Sequence, residues 1–301
     1  MSYNIDNMRK NAVLTVIAAM LASVCHANVD FKKADDLFNK TDNPTECLTY
    51  LESVLPEAAK GKEKAEVLCR MAKACIMIGQ KETSKEKKRE IFGKGISYAE
   101  QAIAEDPKNP EGYMWHSGNV GRECQTRSFA EQAKKLSVIM GDLTTILDKM
   151  GKTNYSAAWQ AMAEIYYNHP MKSNDDAINF TRKAIADIPE NEIRISTYTL
   201  LAKLLYERDW NETKRVSAIN KSATKFKGSF SSVTDKYAYY EGSLGTSYIP
   251  AWSKKSLGTM TDREEAKAIV AYVRSIYNNA NSRTPYDTAD MNGLTSISKN
   301  W

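Results

Sequence analysis

Apolar residues recur along most of this chain at the three- and four-residue spacing of a helix, in short runs that each leave a polar face. Leu68, Met71, Ala72 and Cys75 fall at i, i+3, i+4 and i+7, as do Trp159, Met162, Ala163 and Tyr166, and again Tyr198, Leu201, Ala202 and Leu205. Each set makes one face of a helix. The runs are punctuated alike: Ala102-Ile103-Ala104-Glu105-Asp106-Pro107-Lys108-Asn109 returns 82 residues later as Ala184-Ile185-Ala186-Asp187-Ile188-Pro189-Glu190-Asn191. In both copies a helix ends on an acidic residue, a proline stops its continuation, and an asparagine follows where the next helix can be capped. Phe31, Ala34 and Phe38 mark a weaker first unit, followed by a helix through Leu48 and Leu51 that ends near Pro56. A less regular unit carries Tyr113, Ser117 and Val120, then Leu136, Ile139, Met140, Leu143, Ile146 and Leu147.

The pattern predicts about five helix pairs over 29–226, the second helices of units two and three being long. That is an all-α fold, a right-handed α-solenoid, filling residues 28–226. Beyond it, Gly228 to Gly258 is rich in Ser, Gly and Tyr, with a short helix near Asp235 to Gly242. Thr261-Asp262-Arg263-Glu264 is a capping box opening a helix from Ala266 to Tyr277. Its face of Ile269, Val270, Val273, Ile276 and Tyr277 should cap the last repeat. From Asn281 onward, Tyr286 and Trp301 apart, the tail of the 227–301 region reads as loose.

The Trp159 unit resembles the tetratricopeptide repeat, whose first helix carries Trp, Leu, Gly and Tyr at those four offsets. The second-helix positions match at Ala177, Ala184 and Pro189, with Thr181 departing and a two-residue insertion at His169-Pro170. The wider stretch from Arg89 to Arg208, with Glu111-Gly112-Tyr113-Met114-Trp115-His116-Ser117-Gly118-Asn119, resembles the periplasmic T components associated with TRAP transporters. It also resembles their eukaryotic relatives, the regulators of microtubule dynamics. The resemblance implies a non-enzymatic protein that oligomerises and pairs with a transporter's substrate-binding protein.

Arg9 and Lys10, the uncharged run of 13 residues from Ala12 to Val24, and Cys25-His26-Ala27 follow the order of a signal peptide cleaved after Ala27. Such a run covers about 20 Å, short of a bilayer core of roughly 30 Å. The implied location is the periplasm or cell envelope. Lipidation at Cys25 is the second reading, disfavoured by the bulky Val24 before it. Cleavage would leave a net charge of about +4 from the formal +5, too diffuse for a nucleic-acid partner. The basic run Lys81 to Arg89 is interleaved with Glu82 and Glu86, as on a solvated helix face. Cys47, Cys69, Cys75 and Cys124 remain; the pattern favours buried thiols, although an even number allows disulfides.

Chemistry is sparse. His116 and His169 lie on different units, and no nucleophile elbow, phosphate loop or zinc-protease motif occurs. Ser-x-x-Lys at Ser84 and Ser222 sits on polar helix faces. The reading is a binding protein rather than an enzyme, with no cofactor or metal. Its candidate site is the polar and aromatic first helix of unit three, Tyr113, Trp115, His116, Asn119 and Arg122, with Tyr166 and His169 nearby. The competing reading makes Tyr113 and Trp115 core and bonds Asn119 to a neighbour. The expected partner is another protein, such as a transporter substrate-binding protein; a hydrophobic small ligand and self-association are further expectations. The alternative function is an oligomeric envelope scaffold built through the C-terminal region.

Overall fold

The computed structural model describes residues 29–301 except Pro170, Met171, Asn191, Ile193 and Ser282. The signal segment, the Pro170 insertion and the Asn191 cap lie outside the described residues. Among the described residues, ten helices run in succession: α1 (Phe31–Asn39), α2 (Pro44–Val54), α3 (Lys62–Lys81), α4 (Lys85–Glu105), α5 (Pro110–Cys124), α6 (Phe129–Thr144), α7 (Ser156–Asn168), α8 (Asn174–Ala186), α9 (Ile195–Arg208) and α10 (Glu212–Phe226). A π-turn over Thr145–Lys149 prolongs α6. Among the described residues there is no strand, and no helix is long and apolar enough to cross a membrane. The fold is all-α and solenoid-like.

Local chemistry sets where the helices begin. Asn43 and Asn109 accept from the backbone N–H groups of Glu46 and Glu111, each with a proline in the first turn. Ser84 and Asn211 cap α4 and α10 in the same way. The four-point faces then pack inward. Leu68, Met71, Ala72 and Cys75 are buried, with Trp159, Met162, Ala163, Leu201, Ala202 and Leu205, while Tyr166 and Tyr198 are half-buried. Close approach needs small residues: a methyl at Gly95 on α4 would collide with the Asn119 amide of α5.

Four of the pairs pack as hairpins, but α9 and α10 barely touch each other. Each takes a partner from the C-terminal region instead, which holds α11 (Val233–Tyr237), α12 (Tyr240–Leu244), α13 (Asp262–Asn279) and α14 (Pro285–Ile297). Helix α13 lies along α9 through Ala266, Ile269, Val270 and Val273, as its apolar face requires. Short α12 seats on α10, where a methyl at Gly242 would run into the backbone of Ser222 and Ala223.

The gap between α9 and α10 is filled by charge. Arg182 of α8 and Arg215 of α10 both bind the Glu265 carboxylate, Arg182 through two bonds of 2.8 and 2.6 Å and Arg215 at 2.6 Å. Arg208 grips Asp262 at 2.7 and 2.8 Å, with Arg215 Nε 3.1 Å away. Glu241 of α12 adds a third carboxylate, 3.0 Å from Arg182. Three guanidiniums and three carboxylates are thus buried together and balance one another.

The tail departs from its expected looseness. Thr284 and Asp287 form a capping box that opens α14, and Met291 and Leu294 drop into the core beside α9. Trp301 stacks on Tyr206 with ring centroids 4.3 Å apart. At the other end of α14, Tyr286 donates to Asp42 in the α1–α2 turn at 2.7 Å, and Asp42 also pairs with Lys81 at 2.9 Å.

Replacing Glu265 with Ala leaves Arg182 and Arg215 buried against too little negative charge. The expected loss is about 3–5 kcal/mol, read as a lowered denaturation midpoint. Acid should act through the same carboxylates. Burial alone would raise Glu241 and Glu265, but the surrounding guanidiniums overcome it and lower both, Glu241 from 4.5 to about 2. Because the folded values are depressed, this stability is full above the ordinary carboxylate range and lost as pH falls from about 4.5 toward 2. Acid titration followed by near-ultraviolet circular dichroism should show the loss in that window.

Candidate functional site

On α3, Glu66, Arg70 and Lys73 fall at i, i+4 and i+7, a polar stripe opposite the buried Leu68–Cys75 face. That stripe faces α1 on one side and α5 on the other. Arg70 pairs with Asp35 of α1 at 3.0 and 3.3 Å and with Glu66 at 3.4 Å, and lies over the Phe31 ring. One turn further along, the Lys73 ammonium lies 4.7 Å from the Phe38 ring centre and 5.8 Å from that of Trp115.

Glu111 and Trp115 form the far wall. The indole N–H of Trp115 donates to Glu111 Oε2 at 2.7 Å, and the Tyr155 hydroxyl donates to Glu111 Oε1. Asp35, Glu66, Cys69, Arg70, Lys73, Asn109, Glu111 and Trp115 line a groove of about 300 Å³. Burial lowers the Lys73 ammonium below its ordinary value, although Asp35 and Glu111 pull the other way. Burial likewise raises the Tyr155 hydroxyl, reinforced by Glu111. Among the described residues, Lys73 has no ion pair or hydrogen bond.

The structure brings one of the seven sequence-selected residues, Trp115, into this groove. Tyr113 packs instead into the core cluster around Trp159 and Phe180. His116 points to the second helices, with Nδ1 2.7 Å from Asp142 and Nε2 3.8 Å from Glu100. Asn119 is fully buried and donates to the carbonyls of Ala72 (3.0 Å) and Trp115 (2.8 Å), so it ties α5 to α3 rather than facing a ligand. With the Gln80 amide turned to suit its neighbours, Arg122 donates to its oxygen at 2.9 and 3.3 Å. Tyr166 meets Phe180 edge-on at 5.0 Å, and the His169 carbonyl at the end of α7 accepts from the Lys172 N–H at 3.0 Å. Sequence reasoning missed Asp35, Arg70, Lys73 and Glu111. The signal available was the charged stripe on α3, whose neighbours come from other helices.

Fold and groove together define an all-α protein of successive helix pairs with a polar, aromatic-walled groove on the first helices of pairs one to three. Over residues 30–144 the chain is similar to the family described as Regulator of microtubule dynamics protein 1-3, a stretch that runs from α1 to the end of α6. No curated protein matches it.

All four described cysteines are free and buried. Burial raises the thiols of Cys69 and Cys75 to about 12 and that of Cys47 to about 11, and raises Cys124 as well. Alkylation by iodoacetamide at neutral pH should therefore be slow at all four in the native protein and rapid after denaturation, as peptide mass spectrometry would record.

Proposed function

We propose that this is a non-enzymatic binding protein of the tetratricopeptide type, exported to the periplasm or envelope. In this reading it serves as an adaptor or ligand-channelling partner of a TRAP-type transport system. The observation that carries it is the groove itself: three first helices present an indole, an ammonium and a carboxylate to the same opening. Helical-repeat proteins bind on the face lined by such helices. The similarity to the microtubule-dynamics regulator family over the groove-bearing pairs supports the same kinship that the Arg89 to Arg208 stretch suggested. Export rests on the sequence of residues 1–27 alone.

Binding is favoured over catalysis by the state of the reactive groups. The thiols are buried and raised, and His116 is held by Asp142 away from the groove. The scaffold alternative has less to rest on, because α12, α13 and α14 turn their apolar faces inward. Among the described residues, Tyr248 and Ile249 are the large apolar side chains left exposed there.

The test uses transporter substrate-binding proteins from the same organism, passed over the immobilised protein. Trp115→Ala should weaken retention about tenfold, the loss typical of a central aromatic contact. Helical circular dichroism and melting temperature should change little. Unchanged retention would remove the groove from the function.

A further inference from the structure

We propose that the groove between α1, α3 and α5 is a site for a small zwitterion of the α-amino acid type, its carboxylate on Lys73 and its ammonium on Glu111. This rests on the binding-protein reading and names the ligand chemistry of the same groove.

Some of the groove's charges already have partners. Arg70 is held by Asp35 and Glu66. Lys73 and Glu111 are the groove-lining charges with no opposite charge at ion-pair distance among the described residues. Glu111 meets two neutral donors, an indole N–H and a phenol O–H, and each of its oxygens keeps acceptor capacity. Lys73 is steadied by the rings of Phe38 and Trp115, and among the described residues its three N–H donors meet no acceptor. A partly buried ammonium without an acceptor is costly, and a ligand carboxylate would relieve that with a charge-assisted bond.

Charge balance narrows the class further. The lining contains three carboxylates, Asp35, Glu66 and Glu111, against two cations, Arg70 and Lys73. A ligand carrying only anions meets the carboxylates, and one carrying only cations meets Lys73 and Arg70. A molecule with one of each answers both open charges at once, and its side chain can lie against the Trp115 ring. A volume of about 300 Å³ is at the small end of ligand sites, which suits a single small molecule better than a peptide.

Isothermal titration calorimetry of the full protein against the common L-amino acids is the test, followed by the N-acetyl and carboxamide derivatives of the best binder. Each derivative should bind about tenfold or more weakly than its parent. Lys73→Gln should erase the penalty for the carboxamide, and Glu111→Gln the penalty for the N-acetyl form. A merely structural role for these residues would not produce that crossed pattern. Trp115→Phe, which keeps a ring between the two charges, should retain the discrimination even if Glu111→Gln folds poorly. The proposal is overturned if no amino acid gives heat up to about 10 mM, or if both derivatives bind as tightly as the parent. If amino acids fail while Trp115→Ala still weakens capture of a transport protein about tenfold, the binding-protein reading survives and the zwitterion does not. If amino acids bind as expected and no protein is captured, the adaptor reading falls and the site stands.

Discussion

The pairing of Arg182, Arg208 and Arg215 with Glu241, Asp262 and Glu265 fills the space that opens where α9 and α10 part. Well-packed apolar residues could fill such a space at no loss of stability, since desolvating ions offsets much of their attraction. What the ions add is direction. Each guanidinium reaches a carboxylate from another helix, and the Arg215 guanidinium also donates to the carbonyls of Met260 and Thr261. A shifted α13 would leave buried charges unanswered, so the cluster selects a single seat for it. That seat in turn fixes Trp252, whose indole donates to Glu265, and the loop between α12 and α13.

The other half of the molecule is organised by contact distance rather than charge. Gly95 lets α4 come up to Asn119, and Asn119 joins α5 to α3 by a side-chain bond to the Ala72 carbonyl. These two residues set the spacing of the first helices. The groove depends on that spacing, because Lys73 must stand between Phe38 and Trp115, side chains that reach it from two other helices. Asn119 therefore matters to the site from beneath its floor.

Periodicity made the helices legible, since Leu68, Met71, Ala72 and Cys75 state their face without knowledge of neighbours. It could not find the charge cluster, because Arg182 and Arg215 look like ordinary polar-face residues until the C-terminal region covers them. Asp262 and Glu265 were hidden differently. They sit within and beside the capping box, yet Thr261 and Glu264 do the capping while the other two point inward. Trp115 was legible as an aromatic on a polar helix; Lys73 was not, for its meaning comes from rings on α1 and α5. The final helix was missed because Met291 and Leu294 are thin apolar signal in a polar tail, although its capping box lay in plain sight at Thr284 and Asp287.

The hydrogen bond from Tyr286 to Asp42 joins the last helix to the first turn of the chain. An open row of helix pairs flexes like a spring, each pair bending on its neighbour. A bond between its two ends, worth on the order of 1 kcal/mol, ties the first hairpin to α14 as well as to its neighbour in the row. Moving the first hairpin, which carries one wall of the groove, therefore costs a contact at the far end of the chain as well as those along the row.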